Sequence, residues 1–443
     1  MIVAKFGGTS VGTIEAMQRS AAIVAAHPDR KLVVISATSG TTNDLVALAT
    51  SKTPEHQNQL LKQIEERHQA VISGLSEAYK TEAQQVFDRR FKDLESHLAV
   101  LGREKRWSDK LFAFGELMST DLFVLVLREQ GVEATWLDAR EVIKTDSHFG
   151  KAEPELEAIR RKTAKMITPG QVYLTQGFIG SDSYGQTTTL GRGGSDLSAA
   201  LFAEALDADY LEIWTDVAGV YTTDPRIVKN AFPIGELSFD EAAELSVFGG
   251  KVLHPATLKP AIRGDVKVRV ASSSKPDVQG TVIVNEPVNK PVIRAISLRK
   301  DQTLLTVKSL EMLHQHGFLA RLFQTLADHK ISVDLVTTSE VSVSLTLDTA
   351  LNASNQVILD EVILSKLRAF CEVEVEKGLN LIALIGNNLH HTSGIGGQLF
   401  TELEGYNIRL VCHGASSHNL CFLVAGDNGE EVVRMLHAKF IEH

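Results

Sequence analysis

The chain has 443 residues, enough for two to four domains, and 44% of them are hydrophobic, ample for sizeable cores. Its formal net charge of −10 argues against nucleic acid or an anionic membrane as partner, and no apolar run reaches the ~18 residues of a membrane span. The odd set of Cys371, Cys412 and Cys421 in apolar, strand-like context reads as buried thiols of a cytosolic protein, and the N-terminus shows no signal-peptide pattern.

Ile2 to Phe6 reads as a short buried strand that runs into the glycine loop Gly7-Gly8-Thr9-Ser10, with Lys5 just before it. A helical pattern follows from Ile14 to about Ala26. Lys31 to Ser36 is a second apolar strand, ending in the small polar loop Ala37 to Asn43. Strand, polar loop and helix is the α/β crossover unit, and ligands collect at the carboxyl ends of its strands. Residues 53 to 105 are charged and helical, with no chemistry of their own, and read as an excursion that shapes or covers a site. Leu111 to Gln130 is a strongly apolar helix carrying Gly115-Glu116-Leu117-Met118-Ser119. A carboxylate there is costly unless paired. Either Glu116 caps or salt-bridges another element, or it faces a site and binds the ammonium of a substrate.

Val132 to Leu137 and Val172 to Thr175 are further strands, the second leading into a tight turn at Gln176 to Ser181. Thr187 to Asp196 then gathers three hydroxyls, the glycines of Gly191-Arg192-Gly193-Gly194, Ser195 and Asp196, directly before an apolar helix from Leu197 to Leu206. A glycine loop opening a helix aims unsatisfied N–H groups at one point, and the helix dipole adds positive potential. Arg192 can clamp a carboxylate or phosphate through two parallel hydrogen bonds, and Asp196 can orient a cation or a nucleophile. A polar loop that merely caps its helix is the plain alternative. The Lys5 loop shifts the balance, because two glycine loops, each with one fixed cation, suit a reaction between two anions.

Tyr210 to Trp214 is a strand ending in Thr215-Asp216-Val217, followed by the polar, rigid loop Gly219 to Arg226. That loop suits a nucleotide, with Tyr221 beside the base or ribose and Arg226 on phosphate; core packing is an equal reading for Tyr221. An apolar helix from Ala242 to Phe248 leads to Gly249-Gly250-Lys251, where Lys251 is placed to reach phosphates and His254, before Pro255, reads as structural. In an acidic chain Lys5, Arg192, Arg226 and Lys251 are the locally gathered cations. After the strand Val266 to Ala271, Pro276, Pro287 and Pro291 mark a boundary near residues 285 to 292. The 15 histidines include no metal-binding spacing, and His390-His391 reads as surface.

The C-terminal third repeats itself with a shift of 77 residues: Leu304, Gly317, Leu322, Phe323, Leu326 and Ile331 match Leu381, Gly394, Leu399, Phe400, Leu403 and Ile408. Each copy reads strand, glycine loop, helix, strand, strand, helix. The first copy closes with a fourth strand at Glu372 to Val375, whereas the second ends at a helix from Glu430 to Ile441. The alternating segment Val292 to Leu298 is therefore assigned to the second copy, which places the first copy as an insertion within it.

Lys5-Phe6-Gly7-Gly8-Thr9-Ser10 together with Thr187 to Asp196 resembles the amino acid kinase superfamily and, within it, the monofunctional, lysine-sensitive aspartokinases; the likeness runs over essentially the whole chain. It implies a catalytic α/β domain over 1–288, a mainly parallel sheet between helix layers, followed by two α+β, ferredoxin-like ACT domains, 300–378 and 291–299 plus 379–443. It implies ATP-dependent phosphorylation of the L-aspartate side chain to 4-phospho-L-aspartate, the first step toward lysine, threonine and methionine. Feedback inhibition by lysine is expected, with a homodimer or dimer of dimers joined through the ACT domains. Carried over position by position, Lys5, Gly7 and Gly8 serve the transferring phosphoryl group and Asp196 organises Lys5. Thr42, Glu116, Arg192, Gly193, Gly194 and Ser195 hold aspartate. Lys5, Phe6, Gly7, Gly8, Thr215, Asp216, Tyr221, Arg226, Lys251 and Val252 hold ATP. Mg²⁺ accompanies ATP, with no ligand singled out. Met312, Gln315, Phe318, Leu319, Ser332, Val333, Asp334, Thr338, Ser339 and Glu340 form the effector site, although Asp334 also reads as an exposed strand residue. Gln315 departs from the small hydroxyl residue of the lysine-sensitive enzymes, which leaves threonine as an alternative effector.

The chemistry agrees with the composition of the loops. A substrate carboxylate with a pKa of about 3.9 is already ionised at neutral pH and needs no general base. Catalysis then consists of positioning two anions and neutralising charge, which calls for glycines, lysine and arginine, not a triad. There is no Walker A sequence. A sister kinase of acetylglutamate, glutamate or a nucleotide would share the Lys5 loop without Gly115 to Ser119 or tandem sensors. A catalytically silent sensor would not need Lys5, Arg192 and Asp196. The chain's end at His443 leaves no room expected for a homoserine dehydrogenase domain.

Overall fold

β1 (Ile2–Phe6) is buried along its whole length, and so is nearly all of β2 (Arg30–Ile35). Strands covered on both faces read as apolar runs without alternation, which is the mark of a parallel sheet between helices. The computed structural model describes residues 1–100, 104–168, 170–249, 253, 255–313, 316–347 and 359–442. Around those strands come α1 (Ile14–Ala25), α2 (Thr41–Thr50), α3 (Pro54–Ser73), α4 (Glu77–Ala99), α5 (Lys105–Glu129), β3 (Ala134–Leu137), α6 (Ala139–Val142), α7 (Leu156–Met166) and β4 (Val172–Gln176). A small hairpin of β5 (Ile179–Ser181) and β6 (Thr187–Thr189) precedes α8 (Gly194–Ala205) and β7 (Tyr210–Thr215). β8 (Glu236–Ser238), α9 (Phe239–Val247), α10 (Pro255–Arg263), β9 (Lys267–Ser272) and β10 (Thr281–Val284) complete this part of the chain.

The chain forms two compact units. The first comprises Met1–Val220, Pro233–Ala242 and Lys251–Val288. Its sheet runs β3-β4-β2-β1-β7-β9-β10-β8. The first six strands are parallel, β10 runs antiparallel to β9, and β8 pairs in parallel with β10. The core gathers Ala4 and Phe6 of β1, Val33 and Ile35 of β2, Met17 of α1 and Leu122 and Phe123 of α5. It continues outward to Ile64 of α3 and Phe87 of α4, so the helical excursion is packed onto the domain. Trp214 of β7 stacks on Phe6, with ring centroids 6.1 Å apart.

The second unit carries Tyr221–Phe232, Ala243–Gly250 and Asn289–His443. Its elements are β11 (Ile293–Lys308), α11 (Phe318–Asp328), β12 (Val333–Thr338), β13 (Ser342–Leu347), α12 (Glu361–Arg368), β14 (Glu372–Gly386), α13 (Ile395–Glu402), β15 (Ile408–His413), β16 (Asn419–Ala425) and α14 (Gly429–Phe440). One antiparallel sheet runs β12-β13-β11-β14-β16-β15. Its two central strands each serve both repeat copies. Ile293 to Arg299 pairs with the second half of β14, and Gln302 to Lys308 pairs with the first half, the register breaking between them. Segment Ile293–Arg299 thus lies beside the second half of β14, which pairs on its other side with β16, and the first copy follows this segment in the chain. Each half has its own core, Leu305, Val343 and Leu322 in one, Ile382, Phe422 and Val432 in the other.

Two segments that a boundary at residue 288 would assign to the catalytic domain pack with this second unit. Val228 enters the core of the second repeat copy. Thr222 meets His437 Nε2 at 2.9 Å and accepts the Ile296 N–H at its carbonyl, 2.7 Å away. Ser297 donates to the Phe248 carbonyl at 2.5 Å. Among the described residues no helix is long and apolar enough to cross a membrane.

Candidate active site

Parallel pairing puts the carboxyl ends of β1, β2, β4 and β7 on one edge of the sheet. Their loops are tied together there. The Ser36 N–H donates to the Phe6 carbonyl at 3.1 Å, Ser39 N–H to Gly8 at 3.1 Å, Gly7 N–H to Trp214 at 3.0 Å and Gly177 N–H to Ile35 at 2.8 Å. They open onto a cavity of about 400 Å³ lined by Lys5, Gly8, Glu116 and Phe178, by Ser36 to Asn43 except Thr41, and by Gly191 to Asp196.

Lys5 is buried, and its Nζ lies 2.5 Å from Asp196 Oδ1. Asp196 stands in the first turn of α8, where a carboxylate is favoured by the helix dipole. The helix is capped by Gly193 at φ 72°, a left-handed conformation natural to glycine. On the opposite side a Cβ at Gly177 would come 2.6 Å from Ser195 Cβ, so the β4 loop closes on the start of α8 only because residue 177 lacks one. Arg192 is exposed on this loop, and among the described residues no carboxylate pairs with it.

Glu116 is 3% exposed. One carboxylate oxygen accepts the Ala37 N–H at 3.2 Å, and Oε2 has no partner among the described residues. Burial pushes its pKa up to about 8, with the Ala37 N–H and the charge of Lys5 pulling the other way. Such an acceptor at the wall of a cavity fits a cationic group, whose arrival would stabilise the carboxylate. The cavity therefore presents a lysine–aspartate pair, a free guanidinium and a carboxyl group short of a cation, which together match a zwitterionic substrate beside a transferring anion.

The remaining expected residues distribute as follows. Thr42 lines the cavity. Phe6 turns its side chain into the core, so only its backbone belongs to this edge. Thr215 and Asp216 end β7 next to β1, with the Thr215 hydroxyl on Asp216 at 3.0 Å. Tyr221 and Arg226 belong to the second unit, where Arg226 is exposed and bound to Asp224 at 2.7 Å. Lys251 and Val252, like Gln315, lie outside the described residues. Of the effector set, Ser332 precedes β12, which opens at Val333 and also carries Asp334 and Thr338; Ser339 and Glu340 follow it, and Phe318 and Leu319 begin α11. Met312 precedes that helix. Asp334 is held by Arg299 at 2.9 Å.

The structure also changes some local readings. Thr187 to Thr189 form the strand β6 instead of loop, as befits β-branched residues, and their hydroxyls are buried away from the cavity, Thr188 meeting Thr145 at 2.8 Å. Ser10, at the end of the Lys5 loop, and Ser273 take a structural role that the sequence does not display. Their hydroxyls meet at 2.7 Å, so one donates to the other, and the one that accepts donates in turn to a β7-end carbonyl 3.3 Å away, Trp214 for Ser10 or Thr215 for Ser273. Asp109 is buried and accepts the N–H groups of Gly150 and Thr189 at 2.9 and 2.8 Å, which holds the strand leading to Arg192. Contacts between residues this far apart in the chain leave no spacing signal in a sequence.

A model of the amino acid kinase family matches residues 1–272, and an ACT domain model matches 305–351 and 382–440. Lysine-sensitive aspartokinase 3 of Escherichia coli K12 is 50% identical over 448 aligned residues, covering 100% of this chain and 99% of its own. Aspartokinase 1, chloroplastic, of Arabidopsis thaliana is 36% identical over 99% of this chain and 80% of its own. The fold is similar to E. coli aspartokinase III solved with aspartate and ADP in the R-state, at a TM-score of 0.87, 49% identity and 99% coverage of each chain. The same enzyme solved with lysine and aspartate in the T-state matches at a TM-score of 0.88, with 49% identity, 100% of this chain and 99% of that one.

Proposed function

The chain belongs to the amino acid kinase family and, within it, to the aspartokinases, and from that premise we propose how its own residues perform the phosphorylation of L-aspartate by ATP. The observation that carries the reading is the convergence of Lys5–Asp196, Arg192 and the half-satisfied Glu116 on one cavity. Glu116 takes the ammonium of aspartate and Arg192 its α-carboxylate, with Thr42 and the N–H groups of Gly193 to Ser195 completing the cradle. This leaves the side-chain carboxylate directed at Lys5.

The step balances without proton transfer. A carboxylate oxygen attacks the γ-phosphorus, the new O–P bond forms, and the bond to the β-phosphate oxygen breaks, releasing ADP and 4-phosphoaspartate. Lys5 neutralises charge on the phosphoryl oxygens, and Asp196 keeps the ammonium in place. Gly7 and Gly8 let the backbone come close to the phosphates, and Thr215 and Asp216 flank the nucleotide. Among the described residues there is no cluster of three or more metal-ligating side chains. That fits Mg²⁺ carried on ATP phosphates with one carboxylate such as Asp196 nearby, since Mg²⁺ rarely takes an all-protein cage. When bound it would add neutralising charge on the phosphates.

In the second unit we propose that residues 300–378 form the effector-binding ACT domain and that 291–299 with 379–443 form its partner. Lysine is the effector. Asp334 and Glu340 supply negative charge for its side chain, and the backbone near Met312, Phe318 and Leu319 takes its polar end. Lysine must displace Arg299 from Asp334. The β12 edge suits pairing with a second chain, so the effector site forms in a homodimer. Calorimetric titration with aspartate tests the active-site reading. Wild-type protein should bind, and Arg192→Ala and Glu116→Gln should each bind at least several-fold more weakly; unchanged binding in both would exclude this cavity as the aspartate site.

A further inference from the structure

The helical excursion places two adjacent α3 residues, Arg67 and His68, against the loop between β2 and α2. His68 is fully buried and stacks on Phe87 at 5.4 Å. Its Nδ1 lies 2.7 Å from the Ile64 carbonyl, which only accepts, so Nδ1 carries the proton. Burial holds the imidazole neutral by pushing its pKa down to about 4, which leaves Nε2 as an acceptor. Thr38 Oγ1 lies 3.3 Å from Nε2 and 2.6 Å from Thr41 Oγ1. Thr38 therefore donates to His68 and accepts from Thr41. Arg67 Nη1 in turn donates to Thr41 Oγ1 at 3.0 Å, while Nη2 holds Asp44 at 2.8 Å.

The bonds run in one direction, from Arg67 through Thr41 and Thr38 to His68 and the Ile64 carbonyl, with each hydroxyl donating once and accepting once. Gly40 sits under the guanidinium. It has φ 90°, and a Cβ there would come 3.0 Å from Arg67 Nη2. Thr38, Ser39, Gly40 and Thr42 line the cavity of the active site, whereas Thr41, Arg67 and His68 do not. The other side of the loop is held by Gly8 and Glu116.

We infer that Arg67 and His68 are positioning residues for aspartate, setting the Thr38–Asp44 turn so that Thr42 and the backbone beside it meet the substrate. This rests on the reading of the cavity as the aspartate site. It gives the excursion a role in the reaction that its charged, featureless sequence does not display. The hydroxyl chain fixes the rotamers of Thr38 and Thr41, and only the neutral imidazole tautomer with a bare Nε2 completes it.

The test separates positioning from folding. Thr38→Val keeps shape and breaks the chain, and Thr38→Ser keeps the chain. His68→Leu removes the acceptor without touching the cavity wall, and His68→Gln restores one. Thr38→Val and His68→Leu should raise KM for aspartate by roughly three- to tenfold, the scale of one or two lost hydrogen bonds. KM for ATP should stay within about twofold. Thr38→Ser and His68→Gln should lie close to wild type. If His68→Leu fails to fold by melting analysis, Thr41→Val, which breaks the same chain at a hydroxyl off the cavity wall, decides beside the Thr38 pair and should raise KM for aspartate likewise. A folded Thr38→Val enzyme with unchanged aspartate KM, or with both KM values raised together, overturns the inference. If Arg192→Ala also leaves aspartate binding intact, the cavity assignment itself is at fault.

Discussion

Glu116→Gln removes one charge from a carboxyl group that is 3% exposed, keeps its shape and retains an oxygen for the Ala37 N–H. A buried hydrogen bond to a charged partner is worth ~1.5–3 kcal/mol. Part of that is offset in the wild type, because burial holds the pKa of Glu116 at about 8, and at pH 7 binding an ammonium must first expel a proton. One pKa unit corresponds to about 1.4 kcal/mol. The net loss at pH 7 is then roughly 0.1–1.6 kcal/mol, up to about fifteenfold in KM for aspartate, and it grows to the full value above pH 8. The sign follows from the raised pKa: below about 8 the free enzyme holds Glu116 mostly protonated, so wild-type KM for aspartate should fall by about fivefold as pH rises from 7 to 8 and by about twofold more before levelling off above about pH 9. Glu116→Gln should flatten that profile. The assay is ADP release at saturating ATP with varied aspartate, at half-unit pH steps. Glu116 is not the partner of the aspartate ammonium if the substitution moves only KM for ATP, or if wild type and variant share one pH profile.

Lys5→Ala should lower kcat by roughly 10²–10³ with the fold intact by circular dichroism, on the scale of losing one electrostatic stabiliser; turnover near wild type would remove Lys5 from the mechanism. Gly177→Ala drives a Cβ to 2.6 Å from Ser195 Cβ and should cost ~1–3 kcal/mol in denaturant unfolding or displace the α8 loop enough to raise KM for aspartate, and a variant normal in both would mean the contact relaxes freely. Asp334→Ala should shift the lysine inhibition curve to higher concentration without changing uninhibited turnover. Arg299→Met, which frees Asp334 from its ion pair, should shift it the other way by up to about fivefold, the scale of an ion pair worth ~1 kcal/mol; a rightward shift would make Arg299 part of the effector site and not its competitor.

The parallel core and the loops that meet at the cavity are legible in the residues because both leave local patterns. Ile2 to Phe6 and Lys31 to Ser36 are apolar runs ending in small residues, and Lys5, Arg192 and Asp196 stand out within glycine loops. The repeat was readable because a fixed shift aligns Gly317 with Gly394 and Leu322 with Leu399. What escaped is tertiary. Ser10 and Ser273 gain meaning only where β1, β7 and β9 end side by side. His68 looks like any residue of a charged helix until Ile64 and Thr38 bracket its ring. The β-branched run Thr187 to Thr189 reads as loop because its strand partner, three residues long, is too short to leave a periodicity. Tyr221–Phe232 packs with the second unit through Val228 and Thr222, which no linear boundary expresses.

We propose that this chain transfers a phosphoryl group from ATP to the side-chain carboxylate of aspartate in the cavity of Lys5, Glu116 and Arg192. The direct measurement is trapping of the acyl phosphate with hydroxylamine, alongside ADP release, over a panel of aspartate, glutamate, acetylglutamate and no acceptor, each with and without lysine. Hydroxamate should form in step with ADP for aspartate alone, and lysine should suppress both. ADP release without hydroxamate, or hydroxamate formed from another acceptor in place of aspartate, would contradict the account.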